Sequence, residues 1–362
     1  MSSSKSTEDL GKKVVGFVDA NFFVLGMISA VTAAGLFPGA GVDGSFVRPE
    51  KVIGDYGVAL VFLLSGLSLR LTELRQAVMN VRLNLLVQAT SMAAWPLLTY
   101  LALIPLRALP MINQKILDGL LVTSCLPTTI NMCVMLTMNA GGNVASALAN
   151  AVVGNFLGVF ITPFLLFLTM RKAVTLSVAA VIKKLALKVL LPVAIGQALR
   201  LSKPLLTLQS NYKNSFKKAS EITLLLIAWN AFCNSFSEGL GISLLDVLGL
   251  GLSLGLVHVV SLVALKEFFS SERLLGSLGI TMTPKDAVAS AFVASQKTLA
   301  MGLPLIKTVF TGSPDLAYFC APIMLLHPAQ LILGSALVPR WQRYIKENHD
   351  HGTAKKKEKD QQ

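Results

Sequence analysis

The stretch VASQKTLAMGLP, Val293–Pro304, sits within an apolar run from Ser290 to Phe310 and sets Gln296, Lys297 and Thr298 side by side near its middle. A second stretch, CLPTTINMCVMLT at Cys125–Thr137, has the same character. Pro127 lacks an N–H and cannot complete a helical ladder, and Thr128, Thr129 and Asn131 carry side chains that bond backbone groups instead. Each stretch reads as a membrane helix interrupted near mid-depth. Unpaired backbone at that depth is tolerated only where protein buries it or where it lines a wet cavity.

A proline kink in a packed bundle would account for either break alone, but the correspondence between the two favours a site. Two such breaks bring four helix ends to one place, with N-terminal ends suited to anions and C-terminal ends to cations. The candidate substrate- or ion-binding residues are therefore Thr128, Thr129, Asn131, Asn150, Ser295, Gln296, Lys297 and Thr298. Lys297 lies about 11 residues from both Asp286 and Lys307, close to 16 Å of helical rise, which is too deep for its ammonium to snorkel comfortably to the headgroups. A lysine at the bilayer centre costs roughly 3 kcal/mol even on the lenient insertion scale. With no Asp or Glu at matching depth, compensation is expected from helix C-terminal carbonyls, the amides of Asn131 and Gln296, water or an anionic ligand.

Working outward, 53% hydrophobic and 14% charged residues over 362 positions describe a polytopic membrane protein, since soluble domains carry about 25% charged residues. Apolar windows give candidate helices at 21–38, 52–69, 83–106, 116–138, 143–169, 186–202, 220–237, 244–265, 286–309 and 316–339, with 173–185 as an interfacial lead-in. The fold class expected is all-α membrane: ten transmembrane helices as two inverted five-helix repeats, with helices four and nine broken and crossing. The domains expected are a cytosolic N-terminal segment 1–20, a first repeat 21–169, a second repeat with its linker 170–340, and a disordered basic cytosolic tail 341–362. A repeat with an odd number of spans places its second copy upside down, the geometry of many secondary transporters.

Lys and Arg in the links on the side of the N-terminus outnumber those on the other side about two to one, so both termini are expected in the cytosol. The net charge of +13 has no aromatic-interleaved patch behind it, which excludes a nucleic-acid partner. Cys125, Cys133, Cys233 and Cys320 lie in apolar segments without metal-ligand spacing, and the first dozen residues lack a cleavage site. His258 and His327 have no acid or activated nucleophile beside them at membrane depth, so an enzyme is not expected. Asn150, Asn155, Asn230 and Asn234 fit interhelical hydrogen bonding as well as a cavity lining. Gly66, Gly141 and Gly142 permit close approach or a tight turn.

SGLSLR at 65–70, PTT and GGN around the fourth and fifth helices, ASQKTL at 294–299 and HPAQLILGSALVP at 327–339 carry a resemblance. Together, over about 20–340, they resemble the bile acid:sodium symporter superfamily, in its sodium/bile acid cotransporter 7-like branch, related to plant plastid sodium/metabolite cotransporters. The resemblance implies a panel domain beside a core domain in which helices four and nine unwind and cross. Classical members carry a sodium-binding glutamate four residues before a glutamine in the ninth helix, and a Ser-Asn pair in the fourth. Here Gln296 matches the glutamine, Phe292 stands at the glutamate's place, and Asn131 falls near the polar pair but out of register. A hard cation wants an oxygen cage, so the missing carboxylate argues against sodium coupling, and no cofactor is implied.

The expected function is secondary-active transport of small organic anions by alternating access. The resemblance also links the branch to cellular calcium homeostasis, so the alternative is a non-transporting membrane regulator of calcium influx. The expected setting is the plasma membrane or secretory pathway, with the bilayer and a small organic anion as partners and a homo-oligomer left open.

Overall fold

The computed structural model describes residues 22–68, 81–110, 112–170, 183, 186–237, 244–310 and 312–359. The expected N-terminal segment 1–20, most of the 173–185 lead-in and the end of the SGLSLR motif lie outside them. Among the described residues every regular element is helical. In chain order they are α1 (Phe22–Leu36), α2 (Val58–Ser68), α3 (Val81–Arg107), α4 (Gln114–Ser124), α5 (Ile130–Asn139), α6 (Val144–Thr169) and α7 (Leu191–Arg200). There follow α8 (Lys203–Asn211), α9 (Lys213–Ser237), α10 (Leu244–Ser270), α11 (Glu272–Ser277), α12 (Pro284–Ser295), α13 (Leu299–Val309) and α14 (Leu316–Lys359). The fourth candidate helix is split into α4 and α5, and the ninth into α12 and α13. By length and composition α3, α6, the Val247–Ser270 part of α10 and the Leu316–Asn348 part of α14 are each able to cross a membrane.

The chain forms two compact units. The first, Met1–Leu67 with Pro192–Gly241, holds α1, α2, α8, α9 and nearly all of α7. Its helices touch backbone to backbone where glycine allows it: a Cβ on Gly66 would strike the Val193 carbonyl, and one on Gly196 would strike the Leu63 carbonyl. Small residues permit such approach in membrane bundles. Gln197 Nε2 then donates to Gly66 O, and Arg200 Nη1 donates to Leu67 O at 2.7 Å, placing a cation at the carbonyl end of α2. Asn230 and Asn234 of α9 do not gather at a cavity but hold the loop after α1. Asn230 Nδ2 donates to Gly41 O (2.7 Å) and Asp43 Oδ1 (2.9 Å), and Asn234 Oδ1 accepts from Asp43 N (2.8 Å).

The second unit, Ser68–Leu191 with Ile242–Gln362, is built around α12. Every residue of α12 from Ala287 to Ser295 is buried, and its run of Ala, Ser and Val lets α5, α6, α10 and α14 close on it. Thr283 opens α12 with a capping box: its side chain accepts from Asp286 N while Asp286 accepts from Thr283 N. The end of α5 is a Schellman turn. Gly141, at φ 74°, donates to Met138 O and Gly142 donates to Thr137 O, after which Asn143 starts α6 and donates to Asp286 Oδ1 at 2.7 Å.

One expected boundary is corrected. The last helix does not end at Pro339, and the stretch from 341 is not all solvated tail, because α14 runs on to Lys359 and buries Trp341 and Ile345. Burial of Trp341 against Phe292, with ring centroids 4.5 Å apart, supplies the apolar contact that carries the helix past the proline. The links at 203–211 and 272–277 also contain short helices that apolar periodicity did not reveal.

Candidate functional site

The two breaks meet. Thr298 N, in the gap between α12 and α13, donates to Pro127 O, in the gap between α4 and α5, at 2.8 Å. Each gap closes on a threonine at the N-cap of the helix that follows, Thr129 before α5 and Thr298 before α13, and Thr298 Oγ1 accepts from Met301 N. Thr128, Thr129, Ser295, Gln296, Lys297 and Thr298 are all buried here, Gln296 completely.

Lys297 sits where the two breaks meet, 4% exposed. Its Nζ donates to Leu126 O at 2.9 Å and to Ser91 O at 2.7 Å. Why these carbonyls are available follows from the local sequence. Leu126 lies just past the end of α4, where Pro127 and the gap remove the donors that a continuing helix would supply. Ser91 lies in a π-helical turn of α3, Thr90–Ala94, in which Trp95 N donates to Thr90 O instead of Ser91 O. In that wider register Ser91 O would take its bond from residue 96, which is proline. Both carbonyls are thus left outside their helices, and the ammonium satisfies them.

The Lys297 backbone is held from α14. The Gln330 amide, fully buried and oriented to satisfy both groups, accepts from Lys297 N at 3.1 Å and donates to Lys297 O at 3.2 Å. His327, three residues earlier on the same helical face, also hydrogen-bonds the Lys297 backbone. The α4–α5 gap is held from α6, where Asn155, Gly158 and Thr162 share one face. Asn155 Nδ2 donates to Thr128 O (2.7 Å), Thr162 Oγ1 donates to Cys125 O (2.8 Å), and Gly158 leaves room for Pro127, whose ring a Cβ would meet at 2.7 Å.

Two candidates fall elsewhere. Asn131 is exposed in the first turn of α5, and the residue of that helix that meets Gln296 is Cys133, whose Sγ lies 3.6 Å from Gln296 Oε1, 3.6 Å from Phe292 O and 3.2 Å from Thr128 Oγ1. The α5 turn presents position 133 inward and rotates 131 outward. Asn150 belongs to a separate polar link: it donates to Asn84 Oδ1 (2.8 Å) and Ser146 O (3.1 Å), and Gln88 Nε2 donates to its carbonyl (2.8 Å). Close to Lys297, two buried polar atoms have no protein partner, Gln296 Nε2 and Ser91 Oγ. Gln330, His327, Asn155 and Thr162 complete the site without having been singled out as site residues. Their signal was a lone Gln in the apolar LLHPAQLILG and the i, i+3, i+7 spacing on α6.

A helical core in which two broken helices meet at a buried polar centre is an arrangement suited to a membrane transport protein, and similarity to known proteins points to the same class. The SBF-like CPA transporter family matches residues 21–343, and the chain belongs to that family. It is 35% identical to "Sodium/bile acid cotransporter 7-A" of Xenopus laevis over 88% of this chain and 90% of that protein. It is also 35% identical to "Sodium/bile acid cotransporter 7" of Mus musculus over 88% and 91%, and 33% identical to the Danio rerio protein of the same name over 90% and 95%. With its long apolar helices, the chain is an integral, multi-pass membrane protein.

Proposed function

We propose that this protein is a secondary-active transporter of small organic anions that works by alternating access, with Lys297 as a built-in cation where a coupling ion would otherwise sit. The observation that carries the reading is the ammonium held between the carbonyls of Ser91 and Leu126 at the meeting of the two breaks. Main-chain carbonyl oxygens freed from their helical ladders, one just past the end of α4 and one in the π-helical turn of α3, are groups that suit a monovalent cation, and here a tethered one satisfies them. Two of the three ammonium donors are spent on carbonyls. The remaining donor and Gln296 Nε2 are what the site offers an anionic group.

Inverted repeats over 21–169 and 170–340 belong to the same proposal. Each half contributes its first two candidate helices to one unit and its last three to the other, and in each the interrupted helix resumes at a threonine. Orientation with both termini in the cytosol, at the plasma membrane or in the secretory pathway, follows from the basic-residue bias. The reading is tested by uptake of a panel of organic anions into proteoliposomes with sodium replaced by choline. Undiminished uptake is expected, and strict sodium dependence of the purified protein overturns the built-in cation.

A further inference from the structure

Helix α14 is too long for a bilayer. The segment Leu316–Asn348 is 33 residues, about 50 Å of rise against roughly 30 Å of hydrocarbon, so its far end stands among or beyond the headgroups. That end is not loose. Trp341 and Ile345 are buried, Tyr344 Oη donates to Ser270 Oγ at 2.9 Å, Lys266 lies over the Tyr344 ring at 3.6 Å, and Gln342 Nε2 donates to Asn139 O at 2.6 Å. The packed face is therefore centred on Trp341, Tyr344 and Ile345. At about 100° per residue, Arg343 and Lys346 project on the opposite side and Arg340 on its flank, and all three are exposed, with Glu347 as the acid beside them. Lys355, Lys356, Lys357 and Lys359 follow in sequence.

We infer that the outward face of α14 at Arg340, Arg343 and Lys346 is a binding site for anionic phospholipid headgroups of the leaflet it emerges from. A rigid helix leaving the hydrocarbon carries its basic side chains through the layer where phosphates and carboxylates of anionic lipids lie, and each such side chain raises affinity roughly fivefold. Guanidinium groups suit phosphate in addition by their forked geometry. Packing of the other face fixes the rotation of the helix, so the basic side chains cannot turn away from that layer.

The test uses the full-length protein reconstituted in phosphatidylcholine vesicles containing trace spin-labelled phosphatidylserine or spin-labelled phosphatidylcholine. Labelled phosphatidylserine is expected to be enriched at the protein several-fold over labelled phosphatidylcholine. The enrichment should fall by at least half in Arg340→Gln/Arg343→Gln/Lys346→Gln, and in part in Arg343→Gln alone should the triple variant not fold. It should persist in Lys203→Gln/Lys217→Gln/Lys218→Gln, basic residues of the other unit. Equal enrichment in the native and variant proteins, equal loss in both triples, or binding of soluble polyglutamate in preference to the lipid would overturn the inference. Lipid selectivity is read without transport, so its failure is separate from failure of the proposed function.

Discussion

Replacing Lys297 with Met removes the ammonium while keeping most of the side-chain volume, and the two effects on stability have opposite signs. The carbonyls of Ser91 and Leu126 lose their donor, at roughly 1–3 kcal/mol each. Against this, a charge no longer has to be held at membrane depth, which relieves roughly 3 kcal/mol. The net change therefore lies within about 3 kcal/mol, a shift of no more than roughly 10 °C in an unfolding midpoint for a chain of this size. Lys297→Ala adds a cavity to the same loss and should fall below Lys297→Met by roughly 2 kcal/mol or more. Thermal unfolding followed by intrinsic fluorescence in detergent measures both, and uptake in proteoliposomes measures function. The expected outcome is a folded Met variant with no transport. Full activity of Lys297→Met would refute the reasoning and return the lysine to a packing role; a Met variant that cannot be recovered folded would refute the energy balance.

The structure supports three further predictions. Gln330→Leu leaves the buried Lys297 N–H without its side-chain partner, while the backbone keeps its bond to His327, and should destabilise the protein by about 1–3 kcal/mol, read as a lowered unfolding midpoint; a midpoint within a degree of the native one would count against the clamp. In a background otherwise free of cysteine, Gln296→Cys paired with the native Cys133 should crosslink with a short reagent, whereas the pair Asn131→Cys and Gln296→Cys should not, and the reverse pattern would mean that α5 is rotated from its place here. Tags at both termini should resist protease in sealed right-side-out vesicles, and cleavage of either from outside would reject the cytosolic assignment.

Both breaks were legible because each gathers polar residues, with a proline in one case, inside an apolar run long enough to be a helix. The depth of Lys297 and the absence of an acid at its level were enough to point to helix-end carbonyls as its compensation. Which carbonyls they are was not legible. Ser91 sits 206 positions from Lys297, and its availability depends on a π-helical turn that no side-chain pattern announces. Asn131 was chosen as the polar residue nearest Pro127, but the rotation of α5 after the gap decides which side chain faces inward, and it selects Cys133. Asn150 and Asn155 look alike in sequence, one helical turn and a residue apart on α6. Only the packing partners distinguish the one that bonds α3 from the one that holds the gap. The run after Pro339 reads as tail from its charges, yet Trp341 and Ile345 are spaced to fall on one face and dock.

Because both acceptors of the Lys297 ammonium are main-chain oxygens, no exchange of the Ser91 or Leu126 side chain deletes them. Ser91→Ala or Leu126→Met still presents the same carbonyl. What the molecule inherits as a partner for its lysine is a spacing: a proline placed so that one oxygen has no amide to meet, and a second proline that opens the neighbouring helix. Pro96→Ala should therefore act at a distance, by restoring an N–H that competes with Lys297 for Ser91 O. A search among relatives for a charged counterpart to this lysine would look for the wrong kind of residue, since the counterpart is written as a missing hydrogen.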